Sequence, residues 1–279
     1  MTTTNEQRKR DERSEHSGRP VLDVRGLGHS YGDHVVLKGM DFTVGAGEFL
    51  SIVGPSGVGK TTLLQCLTGL RRPTEGEVHF EGRPVRSAPR GLAIVFQDYS
   101  NSLMPWMRVL ENVTLPLRSA KVPKAERREI GERALEEVGL AGRGGSYPWQ
   151  LSGGMQQRVA IARALAFKPR AIVMDEPFAS VDAQTRADLE DLVIRLKERL
   201  NITVLLVTHD IDEAVYLADR ILVLSRDPDE AATVIPVGLP SPRDQIATKA
   251  LPEFATLRAR VYTMIKRGSG ASEDAAAKQ

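Results

Sequence analysis

A chain of 279 residues with 41% apolar side chains is long enough to bury the core of one large domain with a smaller lobe. Its 38 basic and 36 acidic side chains leave a net charge of +2, which excludes bulk attraction to nucleic acid, and its single cysteine excludes an internal disulfide and a cysteine-rich zinc site. No apolar run approaches the length that crosses a bilayer, and the first twenty residues lack the apolar core of a signal peptide.

The two ends of the chain are polar. Residues 1–19 mix basic and acidic side chains without apolar periodicity, which favours a disordered tail over a basic arm that binds lipid or nucleic acid. Residues 268–279 are rich in Gly, Ser, Ala and charged residues and predict a second disordered tail. We therefore expect the folded part of the chain between residues 20 and 267.

Strands and helices are predicted to alternate between the tails. Short apolar or alternating segments predict strands at residues 21–25, 41–44, 48–53, 77–81 and 92–96. Apolar residues at helical spacing predict helices at residues 60–69, 108–117, 124–138, 153–167, 183–200 and 211–217, and buried strands are predicted at residues 171–174, 202–207 and 221–224. This alternation indicates an α/β fold with a mainly parallel sheet covered on both faces, in which the helical stretch near residues 108–168 is an inserted lobe.

Residues 54–62 match the phosphate-loop pattern, between a predicted strand and a predicted helix. Glycines there let backbone N–H groups turn towards phosphate oxygens, and the helix N-terminus adds a favourable dipole. Lys60 would neutralise the β- and γ-phosphates, Thr61 would bind Mg²⁺ through its hydroxyl, and Thr62 could bond the α-phosphate. The flanking elements disfavour a glycine-rich turn that matches by chance. The predicted phosphate-binding residues are Gly54, Pro55, Ser56, Gly57, Val58, Gly59, Lys60, Thr61 and Thr62.

Two adjacent carboxylates end the predicted strand at residues 171–174. The carboxyl ends of parallel strands form the ligand-binding edge of an α/β sheet, so Asp175 and Glu176 should lie beside the phosphate loop. Asp175 would hold Mg²⁺, directly or through water, and Glu176 could act as the general base on the attacking water. Taken alone, a strand followed by Asp-Glu is more often an ordinary turn; the nearby phosphate loop favours catalysis.

These residues resemble the ATP-binding cassette (ABC) family, and the resemblance covers residues 21–237. Residues 151–158 are similar to the family's signature loop, although Met155 stands where the family most often has Gln. Ser152 and the amides of Gly153 and Gly154, at a helix start, would make a second anion site. The resemblance implies that this site faces the γ-phosphate held by a second copy of the ATPase.

The same resemblance implies a P-loop NTPase fold with a mainly parallel sheet core, an antiparallel β subdomain and an inserted helical subdomain at about residues 100–168. The ATPase domain would span residues 20–240, and residues 241–267 would form a C-terminal extension with a helix. Bound ATP and Mg²⁺ are implied as well.

Further residues take roles from the resemblance. Gln97 matches the Q-loop glutamine that senses Mg²⁺ and links the lobes, and His209 matches the switch histidine that contacts the γ-phosphate. Asp182 lies in residues 180–183, which resemble the D-loop that crosses the dimer interface. Tyr31 matches the aromatic residue that stacks on adenine, a solvent-facing tyrosine at a strand end being the alternative. The implied catalytic residues are Glu176, His209 and Gln97, and the implied Mg²⁺ contacts are Thr61, Gln97 and Asp175.

Three segments, at residues 97–106, 147–149 and 239–254, are similar to the ATPase subunits of bacterial nitrate, sulfonate and taurine importers. That branch implies separate transmembrane permease subunits, a second ATPase copy in a head-to-tail dimer and, indirectly, a solute-binding protein, with no nucleic acid. It also implies a peripheral position on the cytoplasmic face of the inner membrane. Leu103, Met104 and Trp106 either dock a permease helix, which we favour, or pack the lobe.

Three alternatives remain open at this point. An ATPase that serves an export system would have the same motifs, and only the three segments that are similar to importer subunits argue against it. A soluble ABC protein that acts on DNA or ribosomes usually has a long coiled-coil insertion or two tandem cassettes, and neither occurs here. A kinase or GTPase would leave the signature loop without a purpose, and the guanine-reading Asn-Lys-x-Asp motif is absent.

Overall fold

The computed structural model describes residues 20–97, 102–227 and 232–270 and contains two sheets. The smaller sheet is antiparallel, with the strand order β2-β1-β4-β5. Its strands are β1 (Leu22–Tyr31), β2 (His34–Val44), β4 (Glu75–Phe80) and β5 (Arg83–Pro84). The predicted antiparallel β subdomain is therefore confirmed.

The larger sheet has six strands in the order β10-β9-β3-β8-β7-β6. Its strands are β3 (Phe49–Val53), β6 (Leu92–Val95), β7 (Ala171–Asp175), β8 (Thr203–Val207), β9 (Arg220–Val223) and β10 (Thr233–Pro236). Every pairing is parallel except that of the edge strand β10 with β9, which confirms the mainly parallel sheet.

Both faces of the larger sheet are buried. On β3, Leu50 and Ile52 pack into a core shared with the smaller sheet, while Phe49 and Val53 face the opposite core. Because successive side chains of a strand point to opposite faces, a strand covered on both sides is apolar throughout. This explains why β3, β7 and β8 show nearly continuous apolar runs rather than alternation, with Ser51 as the polar exception inside β3.

The helices keep the predicted order with small changes at their ends. They are α1 (Lys60–Leu67), α2 (Val109–Ser119), α3 (Lys124–Glu137), α4 (Gly153–Ala166), α5 (Ala183–Leu200), α6 (Ile211–Leu217) and α7 (Pro252–Gly270). Helices α2, α3 and α4 pack on one another and form the inserted helical lobe. In the described ranges, no helix is long and apolar enough to cross a membrane.

Several predicted boundaries were wrong. The strands placed at residues 21–25 and 41–44 extend to ten and eleven residues and pair as a hairpin through Tyr31 and His34. Register shifts and exposed polar residues interrupt their alternation, which hid their length. Strand β10 was not predicted. Helix α7 continues to Gly270, past the boundary at residue 267, while residues 1–19 and 271–279 lie outside the described residues.

The C-terminal extension packs on the cassette. Phe254 and Val261 of α7 are buried in the same core as Tyr216 of α6. The guanidinium of Arg243 donates to three carbonyl oxygens at the end of α6, those of Val215, Tyr216 and Ala218. The last carbonyls of a helix have no partner within the helix, so this arginine satisfies them.

Candidate active site

The predicted phosphate loop connects β3 to α1. Gly57 and Gly59 have φ angles of 79° and 98°, in the left-handed region that favours glycine. A Cβ atom at Gly59 would also lie 2.7 Å from Val36 Cγ1. Gly59 caps α1 without a side-chain hydrogen bond, so the N–H groups of the first turn remain available to a ligand at the loop.

Lys60 is fixed over the loop. Its Nζ atom donates to the carbonyl oxygens of Gly54 at 2.8 Å and Pro55 at 3.0 Å. An ammonium group has three donors, so these two bonds leave one for a phosphate oxygen. Burial lowers the pKa of Lys60, and the carboxylates of Glu176 and Asp175 oppose that shift by favouring the charged form.

The nine predicted phosphate-loop residues differ in how deeply they are buried. The side chain of Val58 is buried in the core between the two sheets, so only its backbone can face a phosphate. Ser56 and Gly57 are exposed at the tip of the loop, and Thr61 is exposed at the start of α1. Thr62 is buried, with its Oγ1 atom 3.4 Å from the hydroxyl of Tyr31.

The two predicted carboxylates stand at the end of β7. Burial raises the pKa of Asp175, Glu176 raises it further, and Lys60 lowers it. Glu176 has a φ of 43°, a left-handed conformation that costs a non-glycine residue roughly 1–2 kcal/mol. Its N–H donates to Val207 O at 2.8 Å, which holds this turn against β8.

Three predicted catalytic side chains meet at one oxygen atom. Gln97 Nε2 donates to Glu176 Oε2 at 3.1 Å, and His209 Nδ1 lies 3.1 Å from the same oxygen. Strands β6, β7 and β8 are adjacent and parallel, so the residues that follow them meet at one edge. The imidazole of His209 remains 63% exposed and can still reach a ligand.

The predicted Mg²⁺ contacts supply oxygen atoms: the Thr61 hydroxyl, the Asp175 carboxylate and the Gln97 amide. Oxygen donors of this kind suit Mg²⁺, which keeps few protein ligands and completes its shell with phosphates and water. Within the described ranges, there is no group of three or more His, Cys, Asp or Glu residues that could hold a metal ion alone. The donor set therefore fits a metal shared with a bound phosphate.

Tyr31 lies at the end of β1 and is 45% exposed. The guanidinium of Arg71 lies over its ring at 4.8 Å from the centroid, and Gln65 accepts from Arg71 Nε at 2.8 Å. The ring of His29 packs edge-on, with centroids 4.8 Å apart. Sequence reasoning missed both neighbours, because neither belongs to a motif: His29 lies two residues before Tyr31 on β1, and Arg71 comes from the segment after α1.

The predicted signature loop begins α4. Ser152 is the N-cap, and its Oγ atom accepts from Met155 N at 3.3 Å. Gly154 is buried against α5, where an added Cβ atom would lie 2.2 Å from Thr185 Cγ2. Among the hydrogen bonds of the described residues, none joins this loop to residues 54–62 of the same chain.

Asp182 is the N-cap of α5. Its carboxylate accepts from the backbone N–H and from the hydroxyl of Thr185, at 3.0 and 2.7 Å. These bonds, the backbone bond foremost, lower the pKa of Asp182. The residue therefore has a structural role within its own chain, and its contact across a dimer interface stays a prediction.

A comparison with protein families matches residues 37–179 to the model described as ABC transporter. An uncharacterized ABC transporter ATP-binding protein of Methanocaldococcus jannaschii is 45% identical over 82% of this chain and 84% of that protein. The bicarbonate transport ATP-binding protein CmpC of Synechococcus elongatus is 40% identical over 84% of this chain. The nitrate import ATP-binding protein NrtC of the same organism is 37% identical over 88% of this chain. This chain covers 36% of CmpC and 37% of NrtC.

Two solved structures are similar as well. CbiO1 from Clostridium perfringens, part of the ABC transporter complex CbiONQ, matches with a TM-score of 0.70 and 30% identity over 77% of this chain and 87% of that chain. An ATP-binding cassette solved as a dimer in a post-hydrolysis state, with ADP and phosphate bound, matches with a TM-score of 0.66 and 34% identity over 77% of this chain and 98% of that chain.

Proposed function

We propose, since the chain belongs to the ATP-binding cassette family of transporter ATPases, that it hydrolyses ATP between two copies of itself and thereby drives a separate permease that imports a small anion. The observation that carries the proposal is the convergence of Gln97 and His209 on Glu176 Oε2, at the sheet edge that also holds the phosphate loop. ATP is the substrate of this site, as it is throughout the family.

In this proposal each group has its own task. Lys60 and the N–H groups of the loop bind the β- and γ-phosphates, which neutralises the charge that develops during transfer. Glu176 Oε2 accepts the proton of the attacking water, and His209, in contact with the same carboxylate, binds the γ-phosphate. Mg²⁺, held by Thr61, Asp175 and Gln97, would supply charge neutralisation at the phosphates.

The second copy completes the site in this proposal. Ser152 starts a helix on the helical lobe and has no hydrogen bond to the phosphate loop of its own chain among the described residues. A helix N-terminus with an exposed hydroxyl suits an anion, so the γ-phosphate held by the opposite copy is its natural ligand. The dimeric post-hydrolysis relative supports this arrangement.

Replacing Ser152 by Ala is expected to lower the rate of hydrolysis about 10- to 100-fold, the loss of one hydrogen bond to a charged group, without weakening ATP binding to the monomer. Phosphate release measures the first quantity and equilibrium binding of labelled ATP the second. A Ser152→Cys and Ser56→Cys pair should also crosslink between copies. Cys66 is buried and burial raises the pKa of its thiol to about 11, so it should not compete. Specific activity that stayed constant on extreme dilution, with no crosslink, would contradict the shared site.

An aromatic patch, defined as Trp106, Tyr147 and Trp149, supports docking to a permease. Trp106 and Trp149 are 71% and 69% exposed, and the rings of Tyr147 and Trp149 stack with centroids 5.9 Å apart. Arg108 joins the two segments, because its guanidinium lies over Tyr147 and donates to Gly145 O. Leu103, by contrast, is buried and packs the lobe. Large exposed aromatic side chains are typical anchors of a protein interface.

The double change Trp106→Ala and Trp149→Ala is expected to weaken association with the permease by at least about 30-fold, since buried tryptophan anchors contribute about 2 kcal/mol or more. Basal ATP hydrolysis should remain within about twofold, because neither residue touches the site. Co-purification from membranes measures the first and phosphate release the second. Ile246→Ala removes an apolar side chain elsewhere that is even more exposed, at 83%, and serves as the matched control. Unchanged co-purification would place the permease contact on another surface.

The anion and the direction of transport form the finer part of the proposal. Nitrate, an aliphatic sulfonate or taurine are the solutes we propose, with support from the nitrate and bicarbonate transport relatives. A solute-binding protein would deliver the anion, and the ATPase would lie on the cytoplasmic face of the membrane. An export ATPase and a soluble non-transport ABC protein are the alternatives. Purifying the native complex and measuring stimulation of ATP hydrolysis by each anion with its binding protein tests the choice; a complex without a permease would overturn it.

A further inference from the structure

The residues on either side of His209 are held by a buried acid that belongs to no motif. Thr208 Oγ1 donates to Glu213 Oε2 at 2.6 Å and accepts from the N–H of Asp210 at 3.0 Å. Asp210 in turn caps α6 through Oδ1, while its Oδ2 accepts from Arg186 at 3.2 Å. The residues before and after His209 are therefore linked to each other through the Thr208 hydroxyl, which restrains the backbone that carries the imidazole.

Burying the carboxylate of Glu213 costs desolvation free energy, and neighbouring groups offset part of that cost. Its side chain is 5% exposed, and its Oε1 atom lies 3.7 Å from Arg186 Nε, an ion-pair distance. Burial raises the pKa of Glu213 to about 7, with Asp210 and Glu190 adding to the shift, while the Thr208 hydroxyl and Arg186 oppose it. An apolar residue would fill this space without a desolvation penalty, so packing alone does not explain a carboxylate here.

This acid also lies next to the reacting carboxylate. A cavity of about 40 Å³ is lined by both Glu176 and Glu213, together with His209, Arg186 and Thr208. His209 Nδ1 is 3.1 Å from Glu176 Oε2, and the residue before His209, Thr208, bonds to Glu213 through its hydroxyl. A shift of Thr208 would move the imidazole relative to both Glu176 and the γ-phosphate.

We propose that Glu213 is a positioning residue that holds His209 against Glu176, through Thr208 directly and through Arg186 and Asp210 indirectly. In this proposal it contacts neither ATP nor the attacking water, so its effect on hydrolysis passes through His209. The inference rests on the role proposed above for His209.

Steady-state hydrolysis by the full chain tests this role. Glu213→Ala is expected to lower kcat about 10- to 100-fold, the loss that a displaced catalytic group produces, and to change KM for ATP by less than about threefold. Glu213→Gln, whose amide oxygen still accepts from Thr208, should stay within about threefold of the parent kcat. Thr208→Val removes the hydroxyl alone and should reproduce the loss, which keeps the test decisive if Glu213→Ala does not fold.

The second measurement repeats Glu213→Ala in a His209→Ala background with a labelled-phosphate assay. A residue that acts through His209 should cause no further loss there, whereas a merely structural residue lowers both backgrounds equally. Glu190→Ala is the matched control, since Glu190 is also buried and its charge acts on Glu213, but its hydrogen bonds go to Gln245 and Lys249 and not to Thr208; it should give additive effects. Equal losses in both backgrounds, or a Gln variant as impaired as the Ala variant, would overturn the positioning role alone. A fully active His209→Ala enzyme would remove the switch role of His209 and this inference with it.

Discussion

Replacing Glu176 by Gln is expected to lower the rate of ATP hydrolysis about 10²- to 10⁴-fold, the range of general-base catalysis, while ATP still binds. The amide has the shape of the carboxylate and can still bond to Gln97 and His209, but it cannot accept a proton from water. ATP that binds and is not cleaved should keep two copies together. Phosphate release, ATP binding and size-exclusion chromatography with ATP measure the three effects.

Glu190→Gln is a suitable control for this change. Glu190 is 2% exposed and, like Glu176, is a carboxylate in a hydrogen-bonded setting, but it lies away from the phosphate loop. Its amide variant should turn over normally and should not accumulate an ATP-bound dimer. Full turnover by the Glu176 variant would remove this residue from the role of base and leave the proton acceptor to be sought elsewhere at the sheet edge.

Replacing Gly154 by Ala is expected to lower the free energy of unfolding by about 1–3 kcal/mol, the usual penalty for overpacking. The new methyl group would lie 2.2 Å from Thr185 Cγ2. Thr185 cannot swing away cheaply, because its hydroxyl and its N–H both bond to Asp182. Either the start of α4 or the start of α5 must shift, so hydrolysis should fall along with stability.

The rescue variant makes this second expectation specific. Thr185→Ser removes Cγ2 and keeps the hydroxyl that bonds to Asp182, and the other atoms near the new methyl are at ordinary contact distances of 3.6 and 3.7 Å. We expect Gly154→Ala to lower the midpoint of thermal unfolding by roughly 3–10 °C. The double variant should recover most of that decrease. No recovery would show that the glycine is needed for its backbone and not for the space it leaves.

The parts of the site that could be predicted from the sequence are those that a local pattern specifies. A glycine-rich turn between a strand and a helix predicts the phosphate loop, and the carboxyl end of a parallel strand places Glu176 at the same edge, whereas Gln97 and His209 were identified through the family resemblance. Their meeting at a single oxygen atom follows from the strand order β8-β7-β6, which no residue pattern specifies by itself.

The remaining contacts depend on which segments pack together. Arg71 contacts Tyr31 although the two are forty residues apart in the chain. Glu213 bonds to Thr208 from the first turn of α6, and nothing in the sequence of that helix distinguishes this glutamate from a solvent-exposed one. Strand β10 is short and gains its place by pairing with β9 at the sheet edge. Such interactions depend on residues that are distant in the sequence and close in the fold, so a local sequence pattern does not predict them.

Arg243 changes where this protein can be divided. A fragment that stopped at residue 240 would leave the last carbonyls of α6 to water and uncover the surface on which Phe254 and Val261 rest. Helix α6 begins two residues after His209 and is only seven residues long. Disorder at its C-terminal end would therefore also disturb the position of His209. A minimal version of the enzyme therefore has to include α7, and a fusion partner belongs beyond Gly270.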